Sequence, residues 1–503
     1  MNRREMLRLG TAAVMGAGMM RATEQALEVD GGQAAKKGQL AAALTDLGKY
    51  ILLCPTKFGG GAYAVDLSTG RTLAWIEYWN YGDTCPIAHH LAAFPSADPY
   101  QGFEFINSTQ GGKNLFVFGL PTKVKDPGPG FNIYKVRYDG TQMVLVENVA
   151  ETTGLGLGVH VTIAPEATSY GVADGQKDVA AIFDRESSKV LACFGFDWVP
   201  RSQKLAEAWT GGGTLKMFRM HPDADTGKFD LEGLKGCKID WEIVPGGELQ
   251  IEQGHTPGPS PQSVAGSDPW IFDPRGRWAI VGIRLAGVGI VCDRHNHYEP
   301  VVAVSGPKGS PELFSLKKTG EESWEIQFDQ VLSPVHEAGF SPDGKWFLFM
   351  NTTRQNNVAV FDTRNPDPRK WRRTNFVEHP EWQGTYPNPF HLMFSKDGKK
   401  VYCAVWYQPN QPSHLAIIDV ASWKVTKQIE TVGKDLQTLC MTYDGRYVLA
   451  VFSGGQRYES GIFIMDAKTE EPYGYLPSPG GHHDCVIIPR NLEDLRNSRS
   501  TTV

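Results

Sequence analysis

One pattern recurs along the C-terminal half of the chain and restricts the folds it can adopt. Each copy contains an apolar run, an Asp-Gly pair, a second apolar run and a third run that ends in Asp. Three copies occupy residues 340–362, 394–419 and 441–466. Short apolar runs separated by turn residues are typical of β-strands, and we predict that each Asp-Gly pair supplies the positive-φ positions of a tight hairpin. A period of about 45 to 55 residues with four strands predicts a β-propeller blade.

The rest of the chain matches the same sequence pattern less closely. Further copies occupy residues 89–139, 163–184 and 272–293, and the first of these places a strand at 113–118. Runs at 50–54, 62–66 and 72–76 lack a first strand, whereas 484–489 is a first strand with nothing after it. Ends that complement each other in one blade remove two exposed sheet edges. We therefore predict an all-β fold, a seven-bladed β-propeller closed by N- and C-terminal strands that share one blade.

Length alone gives a different expectation from the repeat. A chain of 503 residues suggests about three domains. The repeat instead predicts a single propeller over residues 31–503, with a long insertion at 201–263 that extends a blade and brings Glu242 over the channel.

A composition of 41% hydrophobic and 21% charged residues excludes disorder across the whole chain. The net charge of −6 provides no basic field, so we exclude nucleic acid as a partner.

Residues 1–30 resemble an export signal followed by a flexible start. Arg3 and Arg4 precede an apolar stretch of about a dozen residues, which is too short to cross a bilayer. Paired arginines at this position resemble a twin-arginine signal. We predict an exported, periplasmic bacterial protein that does not span the membrane. Its eight cysteines contain no Cys-x-x-Cys motif, which argues against a zinc ribbon or an iron–sulfur cluster and leaves the disulfide pairing open.

A polar residue lies just before the innermost strand of every predicted blade. These strands line the channel of a propeller, so the residues at their beginnings converge on one mouth. The set is His89, His160, Asp268, His336, His391, Gln437 and His482. Any single histidine is readily explained as a core or turn residue, but a ring of imidazoles without thiolates favours copper among the redox metals. A site for a single metal ion typically has about four ligands. Because five imidazoles exceed that number, we predict more than one metal ion.

Two of these histidines stand in pairs, His89-His90 and His482-His483. Alternation along a strand points neighbouring side chains in opposite directions, so we expect one ligand from each pair. We assign His89 and His482, although the pattern does not decide between the members of a pair. Six other histidines are assigned to the surface or the rim: His221, His255, His295, His297, His379 and His414.

These features resemble the propeller of nitrous oxide reductase and, more closely, the thiocyanate dehydrogenases, single-domain relatives with a trinuclear copper centre. The likeness covers the chain beyond about Lys49 and rests on the polar ring together with Lys57 and Glu242. The chain contains no Cys-x-x-x-Cys motif of a dinuclear copper site, and Asp268 stands where nitrous oxide reductase uses histidine, which disfavours reduction of nitrous oxide. The resemblance implies three copper ions per chain and copper ligands at His89, His160, Asp268, His336, His391 and His482.

The resemblance also implies catalytic roles for Lys57, Glu242 and Gln437. Lys57 would hold thiocyanate or a developing oxyanion, and Glu242 would act as general base toward water. Gln437 replaces a histidine of the family pattern, and a carboxamide can hydrogen-bond a substrate but cannot shuttle a proton near neutral pH. The implied reaction oxidises thiocyanate with water to cyanate and sulfur. Its two electrons pass to an external acceptor such as a cytochrome c. The insertion is a candidate lid over the channel or a candidate contact of a homodimer.

Two other functions stay open at this level. One is a propeller binding or scaffold protein with a histidine-rich mouth and no turnover. The other is a copper oxidase of a different small sulfur compound, such as a thiol. Metal content and an assay of thiocyanate loss with an artificial electron acceptor separate the three.

Overall fold

Short apolar runs separated by turns form antiparallel β-strands throughout the described part of the chain. The structure is a computed structural model. It describes residues 46–56, 60–81, 86–95, 102–111, 114–117, 120–123, 132–158, 160–174, 178–201, 212–231, 266–284, 286–329, 335–352, 355–382, 387–407, 412–431, 436–452, 461–477 and 484–491.

Three sheets are formed by the N-terminal half together with a few later strands. Sheet 1 contains β1 (Tyr50–Thr56), β2 (Gly61–Asp66) and β3 (Thr72–Glu77), and β1 also pairs with the last described strand, β34 (Val486–Pro489). Sheet 2 contains β4 (Pro86–Pro95), β5 (Phe103–Gly111), β8 (Asn132–Tyr138) and β9 (Met143–Asn148), while β6 (Asn114–Val117) and β7 (Leu120–Lys123) form a separate hairpin. Sheet 3 contains β10 (His160–Ile163), β11 (Ser169–Asp174), β12 (Val179–Asp184), β13 (Val190–Pro200) and β14 (Gly213–Arg219), extended by β20 (Lys317–Gly320) and β21 (Ser323–Phe328).

Four further sheets follow in chain order. Sheet 4 contains β15 (Ser267–Phe272), β16 (Trp278–Ile283), β17 (Val288–Asp293), β18 (Glu299–Ser305) and β19 (Leu313–Phe314). Sheet 5 contains β22 (Val335–Phe340), β23 (Trp346–Asn351), β24 (Asn357–Asp362) and β25 (Arg372–Val377). Sheet 6 contains β26 (Asn388–Phe394), β27 (Lys400–Trp406), β28 (His414–Asp419) and β29 (Lys424–Glu430). Sheet 7 contains β30 (Leu436–Met441), β31 (Tyr447–Phe452), β32 (Gly461–Asp466) and β33 (Glu471–Pro477).

Helical structure within the described residues is short. It comprises the α-helix α1 (Val149–Thr153) and 3-10 turns at Leu47–Lys49, Tyr78–Tyr81, Arg294–Asn296 and Pro368–Lys370. None of these helices is long and apolar enough to cross a membrane.

The sheets are arranged around a common set of first strands, which we call the inner strands: β4, β10, β15, β22, β26, β30 and β34. Each inner strand contacts the next in chain order, and β34 also contacts β4. Strands arranged in this way, with the remaining strands of each sheet extending outward, form a propeller-like fold. The arrangement brings residues that are distant in sequence to one central place.

Apolar residues fill the spaces between neighbouring sheets. The described core divides into seven clusters, and each cluster joins one sheet to the next. One of them joins sheet 7 to sheet 1 through residues such as Tyr447 and Leu52. Within β34, Ile488 packs toward sheet 2 and Ile487 packs toward sheet 7. Both faces of each sheet are therefore covered, which explains why the second and third strands of the repeat are almost entirely apolar.

The Asp-Gly hairpins form, but not with the predicted turn. Gly344, Gly398 and Gly445 have positive φ, whereas the aspartates before them do not. In the first of these hairpins the Ser341 carbonyl accepts a hydrogen bond from the Gly344 N–H at 2.8 Å. The Asp343 carboxylate accepts one from the Lys345 N–H at 3.1 Å. The aspartate thus caps a four-residue loop through its side chain, and only the glycine needs the left-handed region.

One predicted strand forms but belongs to a different sheet. The sequence places the second strand of sheet 2 at residues 113–118, but the structure places it at Phe103–Gly111. Residues Asn114–Val117 instead form the separate hairpin with Leu120–Lys123. Within the predicted insertion, Gly213–Arg219 lies as a strand between β13 and β21 and adds to the outer edge of sheet 3.

Candidate metal centre

Five of the seven inner strands have a backbone irregularity at the predicted site residues. In β4, β15, β22, β26 and β30, the pairing with the second strand slips by one residue, at Ala88/Leu91, Ser267/Trp270, His336/Ala338, Pro389/His391 and Leu436/Thr438. Such bulges leave one extra residue on the bulged strand and redirect nearby side chains. The predicted residues of these five strands therefore lie within the strands, at or beside the bulges, and not in front of the strands.

His160 lies at the centre of the described site. It is the first residue of β10 and is buried. Its Nδ1 is 3.3 Å from Asp268 Oδ1, and its Nε2 is 3.5 Å from Glu337 Oε1. The His160 ring also lies 6.1 Å from the His336 ring, centroid to centroid. Four inner-strand side chains from three sheets are thus brought together.

His336 has a defined ring orientation. Its Nδ1 donates a hydrogen bond to the Phe390 carbonyl at 3.0 Å, and the two rings stack at 4.4 Å. In the neutral ring this makes Nε2 the nitrogen that carries the lone pair. A histidine that binds a metal through one ring nitrogen usually donates the N–H of the other nitrogen to a backbone carbonyl or a carboxylate.

Asp268 is buried beside His336 and His160. Its Oδ2 has no hydrogen-bond partner among the described residues. Across the bulge lies Gly282, where an added Cβ would come to 3.0 Å from Asp268 Cβ. Asp268, His336, Glu337 and Gly282 line a small cavity that has room for about one water molecule.

His90 joins the site, contrary to the alternation argument. Both His89 and His90 are buried, and their ring centroids are only 4.7 Å apart. The His90 ring is 4.3 Å from the His160 ring, whereas that of His89 is 6.0 Å away. The prediction that the two rings point in opposite directions is wrong because the bulge of β4 falls on this pair.

Asp484 orients His90 from the closing segment of the chain. Its Oδ2 lies 3.3 Å from His90 Nδ1 and accepts a hydrogen bond from the Leu91 N–H at 2.9 Å. Its Oδ1 accepts one from the Cys485 N–H at 2.7 Å. A carboxylate held in this way favours a proton on Nδ1 of His90 and leaves Nε2 as the ligand nitrogen.

His391 lies in β26 just after its bulge, and Gln437 is the residue within the bulge of β30. His391 Nδ1 accepts a hydrogen bond from the Leu439 N–H at 3.3 Å, which places the proton of the neutral ring on Nε2. Burial lowers the pKa of His391 to about 4, so the ring is neutral at pH 7. Metal ligation through Nε2 would require that proton to leave or the ring to turn. Gln437 is fully buried at the bulge of β30.

Charged groups other than histidine shape the electrostatics of the site. Burial, and to a smaller extent Glu337, raises the pKa of Asp268 well above its usual range. Burial and the nearby Asp484 raise the pKa of Glu337 to about 8, while Arg284 acts in the opposite direction. Burial lowers the pKa of Arg284 to about 10, so its guanidinium stays cationic at neutral pH. The site thus holds closely spaced carboxyl groups that a cation would stabilise, with one arginine nearby.

Three predicted site residues, Lys57, Glu242 and His482, lie outside the described residues, as does His483. The sequence pattern left His90 open beside His89 and did not indicate Glu337, Asp484 or Arg284. His90 and Glu337 directly follow predicted residues at a bulge, so the irregular backbone that presents two adjacent side chains is the signal that was not visible. Asp484 lies two positions after His482, and Arg284 follows the second strand of sheet 4, so neither stands at a position of the predicted polar ring.

The other histidines lie away from this cluster where they are described. His221 and His295 are exposed, and His379 is half-buried. His414, which the sequence places at the surface or the rim, is half-buried as the first residue of β28, and its ring centroid lies 4.0 Å from that of Tyr407. His255 lies outside the described residues.

The donor set fits a transition-metal ion. Two groups of side chains place one ligand atom each within 4.8 Å of one another: His90, His160 and Glu337, and His160, Asp268 and His336. All members are buried, and none is a thiolate. Imidazole with carboxylate suits copper, zinc, iron and nickel. The fixed ring of His336 and the unpartnered Oδ2 of Asp268 are what a metal site requires of its ligands.

Comparisons with known proteins support the fold. No family model and no curated protein matches the chain. A periplasmic gluconolactonase of Pseudomonas aeruginosa matches with a TM-score of 0.50 and 12% identity, over 87% of this chain and 99% of that one. A protein from Lactobacillus plantarum matches with a TM-score of 0.50 and 12% identity, over 88% and 99% of the two chains. At such identity the likeness shows the fold alone.

Proposed function

We propose that this protein is a periplasmic, copper-dependent oxidoreductase that converts thiocyanate and water to cyanate and sulfur. The observation that carries the proposal is the convergence of buried imidazoles and carboxylates from separate inner strands. His90, His160, Asp268, His336 and Glu337 all lie within this one cluster. A hydrophobic core would not gather these groups without a cation to offset the cost of burying them.

The proposed scaffold is a closed ring of seven blades, with the first blade made from both ends of the chain. The pairing of β34 with β1 and the cyclic contacts of the inner strands support closure. The core cluster between sheets 7 and 1 supports it independently. Closure matters for function because it holds β34 in place. Asp484, which orients His90, lies two residues before this strand.

The residues that would hold copper are those of the cluster, with His89, His391 and His482 as further candidates. When bound, copper would supply an acceptor for electrons and a Lewis acid toward water. The chain's own residues prepare the place for it. Phe390 and Asp484 orient the rings of His336 and His90. A bound cation would lower the raised pKa of Asp268 and of Glu337, and these carboxyl groups would then supply negative charge.

A small anion fits the remaining chemistry of the site. Among the described residues, the charge of Arg284 lowers the pKa of Glu337, so we propose that this arginine attracts the anion. The family resemblance implies a similar anion-binding role for Lys57. The overall reaction is SCN⁻ + H₂O → OCN⁻ + S + 2H⁺ + 2e⁻. Water supplies the oxygen of cyanate, the carbon–sulfur bond breaks, and Glu242 is the proposed base for a proton of water.

The two electrons must leave the protein. An external acceptor such as a cytochrome c would take them, and the export signal predicted at residues 1–30 would place both proteins in the periplasm. We keep three copper ions per chain and a homodimer as parts of this proposal. Size-exclusion chromatography with light scattering tests the oligomeric state.

Copper loading and turnover test the proposal in order. The purified chain is loaded with Cu(II), desalted and analysed for copper, and thiocyanate loss is then followed with an artificial acceptor. We expect two to three copper ions per chain, and about one fewer, with loss of turnover, in His336→Ala. The matched control His221→Ala changes an exposed ring and should keep both. Less than one copper ion per chain in the unmodified protein would overturn the proposal.

A metal-binding protein without turnover is the second candidate, and Gln437 is the observation that favours it. The family pattern has a histidine there, and a buried carboxamide cannot exchange a proton near pH 7. Full copper occupancy without loss of thiocyanate or of a small thiol would favour this second function.

A further inference from the structure

Two cysteine sulfurs meet where the closing strand packs against the last sheet. Cys440 lies in β30, and Cys485 immediately precedes β34. Their Sγ atoms are 2.7 Å apart although the residues are separated by 45 positions. This spacing is short for two thiols and approaches the separation of bonded sulfurs, which is about 2.05 Å.

We propose that Cys440 and Cys485 form a disulfide bond that fastens the closing strand to sheet 7. Each sulfur loses a hydrogen, one S–S bond forms, and two protons and two electrons leave. The oxidant is an external disulfide, small or protein-borne, whose own S–S bond is reduced to two thiols. Cys440 is partly exposed and Cys485 is buried, so Cys440 attacks the external disulfide first and releases one external thiol. Cys485 then attacks the Cys440 sulfur of the mixed disulfide and releases the second external thiol.

The bond would supply a link that the backbone does not. β34 is hydrogen-bonded to β1 and contacts β30 only through packing. The four residues of β34 pair with β1 and so hold this end of the chain in the ring on one side. A covalent bond to β30 would hold the other side and, through the adjacent Asp484, would keep the carboxylate beside His90.

The other described cysteines do not offer this geometry. Cys54, in β1, directs its Sγ to the Tyr63 carbonyl at 3.8 Å. Cys403 is buried in β27 and contacts the Ala404 carbonyl at 3.6 Å. Both belong to apolar clusters between sheets and act as small core residues.

Peptide mapping tests the bond directly and does not depend on copper or turnover. The full chain, kept metal-free with a chelator, is equilibrated with oxidised glutathione, denatured and alkylated before and after reduction. We expect a linked Cys440–Cys485 peptide that disappears on reduction, with Cys54 and Cys403 alkylated in both samples. Free thiols at 440 and 485 in the oxidised sample, or a link to another cysteine, would overturn the proposal.

Thermal unfolding gives a second readout. Reductant should lower the melting midpoint of the oxidised chain by several degrees. Cys440→Ser should start at the lower midpoint and no longer respond to reductant, whereas the control Cys403→Ser should still respond. An equal midpoint with and without reductant in the unmodified chain would contradict a stabilising bond, and this measurement needs no variant that folds poorly.

Discussion

Single residues decide which ring nitrogens are available at the centre. Three of the described rings have a specific partner: the Phe390 carbonyl for His336, Asp484 for His90 and the Leu439 N–H for His391. The Phe390 carbonyl accepts a hydrogen bond from Nδ1 and Asp484 lies beside Nδ1, whereas the Leu439 N–H donates a hydrogen bond to Nδ1. The rings are therefore not equivalent, although the sequence repeat makes them appear so.

Gln437 is the residue that we propose limits proton transfer in the reaction. We expect Gln437→His to increase the rate of thiocyanate oxidation and to make that rate depend on pH between about 5 and 8, because an imidazole titrates in that range. The measurement is a pH profile of thiocyanate loss with an artificial acceptor. Gln437→Asn keeps a carboxamide and serves as control. If both variants gave the same profile as the unmodified chain, Gln437 would have no part in proton transfer.

Arg284 should affect substrate binding more than turnover. We expect Arg284→Met to raise KM for thiocyanate about tenfold, the effect of losing one charged contact of roughly 1.5 kcal/mol. Copper content should be unchanged, because an arginine is not a ligand. Arg277→Met removes an exposed arginine paired with Asp293 and is the control. An unchanged KM in Arg284→Met, or a loss of copper, would assign Arg284 a different role.

At the scale of strands, the bulges separate what the sequence predicts from what it does not. The positions of the inner strands and of His160, Asp268 and His336 follow from apolar runs and turn residues that the repeat makes visible. The one-residue slip at each bulge leaves no such mark, since it arises from packing between sheets. Glu337 was missed for that reason, and the same slip overturned the prediction that the His89 and His90 rings point in opposite directions. Asp484 was missed because it lies two positions after His482, the predicted ring position.

Gly282 tests whether the bulge of β15 positions Asp268. A Cβ at this position would come within 3.0 Å of Asp268 Cβ and displace it. We expect Gly282→Ala to lose about one copper ion per chain while the protein stays folded, at a cost of about 1–3 kcal/mol from overpacking. Copper analysis and circular dichroism measure the two effects. Gly48→Ala, whose Cβ would meet Ser68 at an ordinary 3.7 Å, should change neither.

The hairpin between β30 and β31 links sheets 7 and 1 through Asp444. Its Oδ2 accepts hydrogen bonds from Lys49 Nζ at 2.8 Å and from the Tyr50 hydroxyl at 2.6 Å. These contacts hold the pKa of Asp444 well below its usual range. A carboxylate with a lowered pKa stabilises the fold above its unfolded pKa of about 4, and that contribution is lost as pH falls through the folded value.

We therefore expect Asp444→Asn to lower the free energy of unfolding by about 1–3 kcal/mol at pH 7 and by less at pH 3. Urea unfolding at the two pH values measures the difference. Asp397 occupies the same turn position in the preceding sheet, where it bonds within its own hairpin to Ser395 and Lys399. Asp397→Asn should cost less at pH 7, and an equal cost would show that the contact between sheets adds nothing.

At the scale of the whole molecule, the proposed closed ring differs from an open row of sheets in how a local change spreads. In an open row each unit contacts only its neighbours, so damage to one end frays that end. In a closed ring the contact between sheets 7 and 1 is one of seven similar interfaces, and its loss weakens the whole. β34 is the place to distinguish the two, because it lies between sheet 2 on one face and sheet 7 on the other.

Ile488→Ala tests closure. Ile488 pairs with Ile51 and is buried between sheets 1 and 2, so the truncation should cost about 2–4 kcal/mol. We expect this loss to appear as a single unfolding transition at a lower midpoint. We also expect faster hydrogen exchange in sheet 5, which is distant in sequence from β34. Ile487→Ala, at a partly buried position of the same strand, should have a smaller effect. Faster exchange confined to sheets 1 and 7, with sheet 5 unchanged, would indicate an open row of sheets, because only in a closed ring does β34 contribute to the stability of every other sheet.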